Sequence, residues 1–211
     1  MDLSKKLLCA GLFTAFVVVA PCASADPSVL DWMKAKIGSL SGGVQTDSHD
    51  QAFNGVRPPP SNGTWVQMGT SPDGGALQLV MSVISSARTS IRVASYEFTS
   101  KPIARALIQK ERDGVDVLVV MDKSQRDQRS SVASALVGAG IPVRIDDRYN
   151  IQHSKVMVVD GETVETGSLN YTESAISRNS ENVLVVWHHH GIAQQYITYW
   201  QRLWQESTPY R

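Results

Sequence analysis

The chain has 211 residues, of which 42% are hydrophobic, 19% charged and 7% aromatic, with 20 basic and 20 acidic side chains. That length and apolar content support a packed core and exclude a disordered, collagen-like or coiled-coil chain. Zero formal net charge excludes a globally basic nucleic-acid binder, so any such interface must be a local patch.

The chain opens with Lys5 and Lys6 ahead of an apolar run over 7–20. Pro21 breaks the run, and Ala23-Ser24-Ala25 has the small-x-small form that signal peptidase cuts. Residues 1–25 are read as a secretory leader cleaved between Ala25 and Asp26, which places the mature protein in the periplasm or outside the cell. Both cysteines, Cys9 and Cys22, fall inside the leader, so the mature chain has no thiol for a disulfide, a nucleophile or a metal. No later run reaches the ~18 apolar residues of a membrane span, so no stable anchor is expected.

Residues 26–64 are read as a peripheral arm or linker. A short helix is expected over 27–37, with Leu30, Met33 and Ile37 on one face. Polar and glycine-rich chain follows, including the polyproline stretch Arg57-Pro58-Pro59-Pro60. From Trp65 the pattern becomes regular. The spacing predicts strands over 65–68, 91–95, 115–121 and 143–145, separated by helices over 74–87, 101–110 and 130–137. Strands then follow over 155–159 and 164–166 around Gly161, and over 182–187, before a terminal helix over 192–206. Strand–helix alternation predicts an α/β domain over 65–211: a mixed, largely parallel β-sheet flanked by helices on both faces. Asp73-Gly74-Gly75 lacks the lysine of a phosphate-binding P-loop.

The residues with chemistry in them cluster after position 150. His153 and Lys155 open an apolar strand that ends at Asp160, and their alternate spacing puts both on one face. An imidazole and an ammonium so placed suit a phosphate: one attacks phosphorus or moves a proton, the other neutralises a non-bridging oxygen. Gly167, Ser168 and Asn170 fit a tight oxyanion-binding turn, and Glu181 opens the next strand, where a carboxylate can orient a histidine. Taken singly, each of these residues also has an ordinary structural use.

Together, His153, Lys155 and Asp160 form H-x-K-x-x-x-x-D, and Gly167, Ser168 and Asn170 form G-S-x-N. This pattern resembles the phospholipase D superfamily, and within it the small single-motif bacterial endonucleases of the Nuc-like branch. The likeness runs from about Thr70 to Arg211 and takes in Ser95-Tyr96-Glu97-Phe98-Thr99 and Asn179-Ser180-Glu181-Asn182. The resemblance implies a phospholipase D-like fold and a two-step phosphodiester hydrolysis through a covalent phosphohistidine on His153. It implies that Lys155 and Asn170 hold phosphate oxygens, that Ser168 assists, that Glu181 orients His153 and that Asp160 supports local structure. It implies no metal and no other cofactor. One motif per chain implies a homodimer sharing one composite site, with a histidine from each copy.

His188, His189 and His190 resemble a metal-binding tract, but adjacent residues point in different directions, and a surface loop is the expectation. Residues 88–155 carry 12 basic and 8 acidic side chains, whereas 156–211 carry 3 and 6. The positive excess therefore lies upstream, and Lys123, Arg126 and Arg148 are candidate contacts to a nucleic-acid backbone. A nonspecific endonuclease acting on DNA, with RNA as a further candidate, is the leading reading. An exported phospholipase D acting on a headgroup phosphodiester is the alternative, and an inactive nucleic-acid-binding protein is a third.

Overall fold

The computed structural model describes residues 63–211. The expected leader, the 27–37 helix and the 57–60 proline stretch lie outside the described residues. Eight strands form one sheet: β1 (Trp65–Ser71), β2 (Ser90–Ser95), β3 (Asp116–Asp122), β4 (Val143–Asp146), β5 (Lys155–Val159), β6 (Thr163–Gly167), β7 (Glu181–Trp187) and β8 (Thr208–Pro209). The helices are α1 (Ala76–Ser86), α2 (Lys101–Arg112), α3 (Ala133–Gly138), α4 (Glu173–Ser177) and α5 (His190–Glu206), with a 3₁₀ turn at Lys123–Gln125.

The strand order is β1-β7-β6-β5-β2-β3-β4-β8. Only β2–β3 and β3–β4 are parallel. The other five neighbouring pairs are antiparallel, which corrects the expectation of a largely parallel sheet. The reason is local. Strand–helix alternation does give parallel neighbours along β2-α2-β3-α3-β4, as crossover helices require. The link from β1 through α1 to β2 looks the same in sequence, yet β1 docks on β7 at the far edge. Beyond β4 the strands return as antiparallel neighbours, most tightly between β5 and β6. Asp160 and Gly161 both adopt positive φ, 52° and 69°, and Glu162 N–H closes on Val159 O at 3.1 Å. That geometry is a tight hairpin turn, so β5 and β6 must be antiparallel.

Alternation along each strand builds two apolar layers. On one face, Val93, Val119, Met157, Val185 and Trp187 meet Leu79, Val80, Val83 and Ile84 of α1 and Ile103 and Leu107 of α2. On the other, Ala94, Val120, Val156, Val158 and Val164 are covered by Ala193, Trp200 and Leu203 of α5. The Trp200 indole donates to Val93 O at 2.8 Å, so its buried N–H is satisfied.

Mixed strand directions have one consequence for the site. The C-terminal ends of β2, β3, β4 and β6 and the N-terminal ends of β5 and β7 share one edge of the molecule. Register fixes them there: Ser95 faces Lys155, and Gly167 faces Val183.

Candidate active site

His153 lies two residues before β5 and is exposed, whereas Lys155 is the first residue of that strand and only 5% exposed. Tyr96, which follows β2, sits beside both. Its ring centroid is 4.7 Å from that of His153, tilted by 52°, and 5.2 Å from Lys155 Nζ. Tyr96 N–H donates to Ser154 O at 2.9 Å, which fixes the ring's backbone against the loop. Lys155 Nζ donates to His153 O at 2.8 Å. Burial pushes the Lys155 ammonium below its ordinary value, and the charges of Glu181 and Glu97 offset this only in part. A partly desolvated cation of this kind interacts strongly with an incoming anion.

The Gly167–Asn170 turn packs against the start of β7. A Cβ on Gly167 would lie 2.2 Å from Asn182 O, so only glycine fits this approach. Ser168 N–H and Leu169 N–H both donate to Asn182 O, at 3.1 and 3.3 Å. The Ser168 and Leu169 amides are thus internally satisfied, and the turn presents the Asn170 side-chain amide at the site. Asn170 Nδ2 donates to Glu97 Oε2 at 3.4 Å, and Asn170 Oδ1 is buried without a hydrogen bond. Ser168 Oγ donates to Glu181 Oε2 at 2.6 Å, and Asn179 Nδ2 donates to Glu181 Oε1 at 2.9 Å. In the single chain Glu181 therefore engages Ser168 and Asn179, not the His153 ring that the resemblance assigns to it.

Asp160 stands at the opposite end of β5. Its carboxylate accepts from the backbone N–H groups of Arg88, Thr89 and Ser90 and from the Thr89 hydroxyl, at 2.8–2.9 Å. Burial raises its carboxyl, but these donors outweigh burial and hold it below the ordinary value. It ties the α1–β2 loop to the β5–β6 turn.

The basic residues Lys123, Arg126 and Arg148 follow β3 and β4 on the same edge as His153. Lys123 Nζ donates to Tyr149 O at 3.1 Å, Arg126 pairs with Asp147 at 3.2 Å, and Arg148 pairs with Glu206 at 3.4 Å. The three consecutive histidines face three different partners: Glu162 for His188, Ile192 N–H for His189 and Gly161 O for His190. Among the described residues, no group of three or more His, Cys, Asp or Glu side chains is arranged to hold a metal ion. No described helix is long and apolar enough to cross a membrane.

Residues 80–204, more than half of the chain, match the family model described as cardiolipin synthase, PLD-like domain. The chain is also 43% identical to the phospholipase D family member Nuc from Salmonella typhimurium, with a TM-score of 0.69, covering 71% of this chain and 99% of Nuc. The chain belongs to the phospholipase D family. NucT from Helicobacter pylori shares the fold at 24% identity and a TM-score of 0.65, over 70% of this chain and 99% of NucT. A curated relative named phospholipase D, from Rickettsia bellii, is 35% identical over 62% of this chain and 64% of its own length. Another, named mitochondrial cardiolipin hydrolase, from Xenopus laevis, is 37% identical over 58% of each chain. The matched region thus spans 64% and 58% of these two curated relatives, less than two thirds of either.

Within this phospholipase D fold, three residues at the site escaped the sequence reading. Tyr96 and Glu97 follow a buried strand, and only their place in the Ser95–Thr99 segment marked them. Asp122 closes the apolar strand β3 and is buried. Its two oxygens accept from Ser124 N–H at 2.9 Å and Gln152 N–H at 2.8 Å, so it holds the residue just before His153. A lone acid ending a run of valines is the signal that was available.

Proposed function

We propose that this protein is a metal-independent phosphodiesterase, and in particular a nonspecific endonuclease of DNA, with RNA as a further candidate substrate. The observation that carries the reading is the placement of His153, buried Lys155 and the Asn170 amide on one edge of the sheet. In step one, a His153 ring nitrogen attacks phosphorus and forms a P–N bond. The P–O bond to the leaving group breaks, and a second histidine gives that oxygen a proton. In step two, the second histidine takes a proton from water, the water oxygen attacks phosphorus, and the P–N bond breaks to restore His153. Lys155 and Asn170 hold the non-bridging oxygens throughout. Ser168 and Glu181 form a bonded pair beside them, and Asp160 acts through the fold.

The second histidine is His153 of a second copy, which makes the active enzyme a homodimer with one shared site. Lys123, Arg126 and Arg148 favour a nucleic acid, because they extend the basic edge beyond one phosphate. Residues 1–25 act as an export signal in this reading, and the mature enzyme works in the periplasm or outside the cell. Hydrolysis of a phospholipid headgroup is the second reading. It is favoured by the names of the curated relatives and by Ile151, an exposed apolar residue two positions before His153.

The test is nicking of supercoiled plasmid by the mature protein in excess EDTA, with His153→Ala alongside. Nicking by the wild type alone is the expected result. No cleavage by either protein, combined with headgroup release from phospholipid vesicles, would transfer the reading to the lipase. No turnover of either substrate would leave a binding protein.

A further inference from the structure

Two carboxylates, Glu181 and Glu97, flank the groups that the proposed reaction assigns to phosphate. Glu181 is bonded to Ser168 and Asn179, and Glu97 has no part in the reaction. Its backbone is pinned: Glu97 O accepts from Tyr171 N–H at 3.1 Å and from the Ser95 hydroxyl at 3.0 Å. Its side chain is partly buried, and Oε2 accepts a hydrogen bond from the Asn170 side-chain amide at 3.4 Å. Its charge also acts on Lys155. One oxygen of Glu97 therefore engages the donor that the reaction assigns to a phosphate oxygen. A carboxylate and a phosphate compete for such donors, and a phosphate that enters meets a like charge.

We infer that Glu97 is an internal competitor for the phosphate-binding donors and so a specificity-determining residue. Resting on the phosphodiesterase reading, this makes the preferred substrate a polyanion. A nucleic acid that touches Lys123, Arg126 and Arg148 gains enough binding from its other phosphates to displace Glu97. A lone phosphodiester or free phosphate does not, so small diesters bind weakly and product phosphate leaves readily.

The experiment measures binding of inorganic phosphate by calorimetry near pH 6 to the wild type, Glu97→Gln, Glu97→Asp and Lys155→Ala, alongside turnover of bis(4-nitrophenyl) phosphate. Thermal unfolding checks that each variant is folded. Glu97→Gln is expected to bind phosphate roughly fivefold more tightly and to lower KM for the small diester by a similar factor, with kcat unchanged. Glu97→Asp keeps the charge but withdraws the carboxylate from Asn170 and is expected to fall between the wild type and Glu97→Gln, and Lys155→Ala is expected to lose the binding. Equal or weaker phosphate binding by folded Glu97→Gln would overturn the inference and make Glu97 a support for Lys155 and Asn170. If no protein turns over the small diester or nicks plasmid, the phosphodiesterase reading fails, and phosphate binding still judges Glu97. Absence of phosphate binding in all four proteins would overturn both.

Discussion

Inside the core, the Tyr171 phenol donates to Glu165 Oε2 at 2.6 Å, one residue from the Asn170 amide of the site. Glu165 sits on β6, fully buried, and its second oxygen has no hydrogen bond. Burial pushes its carboxyl up to about 8 from an ordinary 4.5, although the Tyr171 hydroxyl pulls the other way. The native state therefore keeps a proton that the unfolded chain releases between those two values. The contribution of this group is fully present below pH 4.5 and is lost as pH rises through about 8. Within that window stability is expected to fall by up to about 1.4 kcal/mol for each pH unit. Glu165→Gln is expected to flatten that slope, as read from urea denaturation of both proteins at several pH values.

Asp160 works with the opposite sign. Its folded carboxyl lies below the ordinary 3.8, so its contribution is present above that value and disappears as pH falls through the lower one. Asp160→Ala strips the acceptor from three backbone N–H groups and one hydroxyl. A loss of about 2–4 kcal/mol in denaturant stability is expected. Because Asp160 is at the far end of β5, kcat of the folded fraction is expected to change by less than about threefold. A large kcat loss at full folding would place Asp160 in the chemistry.

Gly167→Ala drives a methyl group against the Asn182 carbonyl, a backbone atom with no rotamer to yield. Destabilisation of about 1–3 kcal/mol is expected. Displacement of the Ser168–Asn170 turn is also expected to raise KM for plasmid and lower kcat together. Thermal unfolding and steady-state kinetics on the same preparation check both.

Lys155→Met keeps the stem and removes the charge. About a hundredfold to thousandfold loss in kcat/KM is expected. Lys155→Arg is not expected to rescue it, because a planar guanidinium does not fit the buried socket of a point charge. Since burial lowers the Lys155 ammonium, the alkaline loss of wild-type activity is expected to begin below the range of a solvated lysine. A rate–pH profile of the wild type tests that directly.

How far the chain could be read without coordinates depended on which force dominated locally. The apolar runs of β2, β3 and β5 and the periodic face of α2 place those elements to within one or two residues. The Thr208–Pro209 strand and the five-residue helix α4 were missed, being too short for any periodicity. Strand direction was the larger error. It is set by pairings between residues far apart, such as Ser71 with Glu181, and no local pattern carries that. The motif positions His153, Lys155, Ser168, Asn170 and Glu181 were legible as residue types in a pattern. Glu97 and Glu165 were not, because an isolated acid in or beside a strand usually reads as solvated, and only the folded sheet turns one inward.

The sheet changes strand direction at the seam between β2 and β5, and the two sides differ in kind. Everything the proposed chemistry uses, from His153 to Glu181, lies on one continuous stretch of antiparallel chain. The basic residues that reach outward hang on loops after the parallel strands β3 and β4, and Tyr96 and Glu97 stand at the junction. Such a layout is modular. The loop after β3 can be lengthened or recharged to select a different phosphodiester, while Lys155, Asn170 and Glu181 stay in a register set by β5, β6 and β7; the loop after β4 carries His153 itself and has no such freedom.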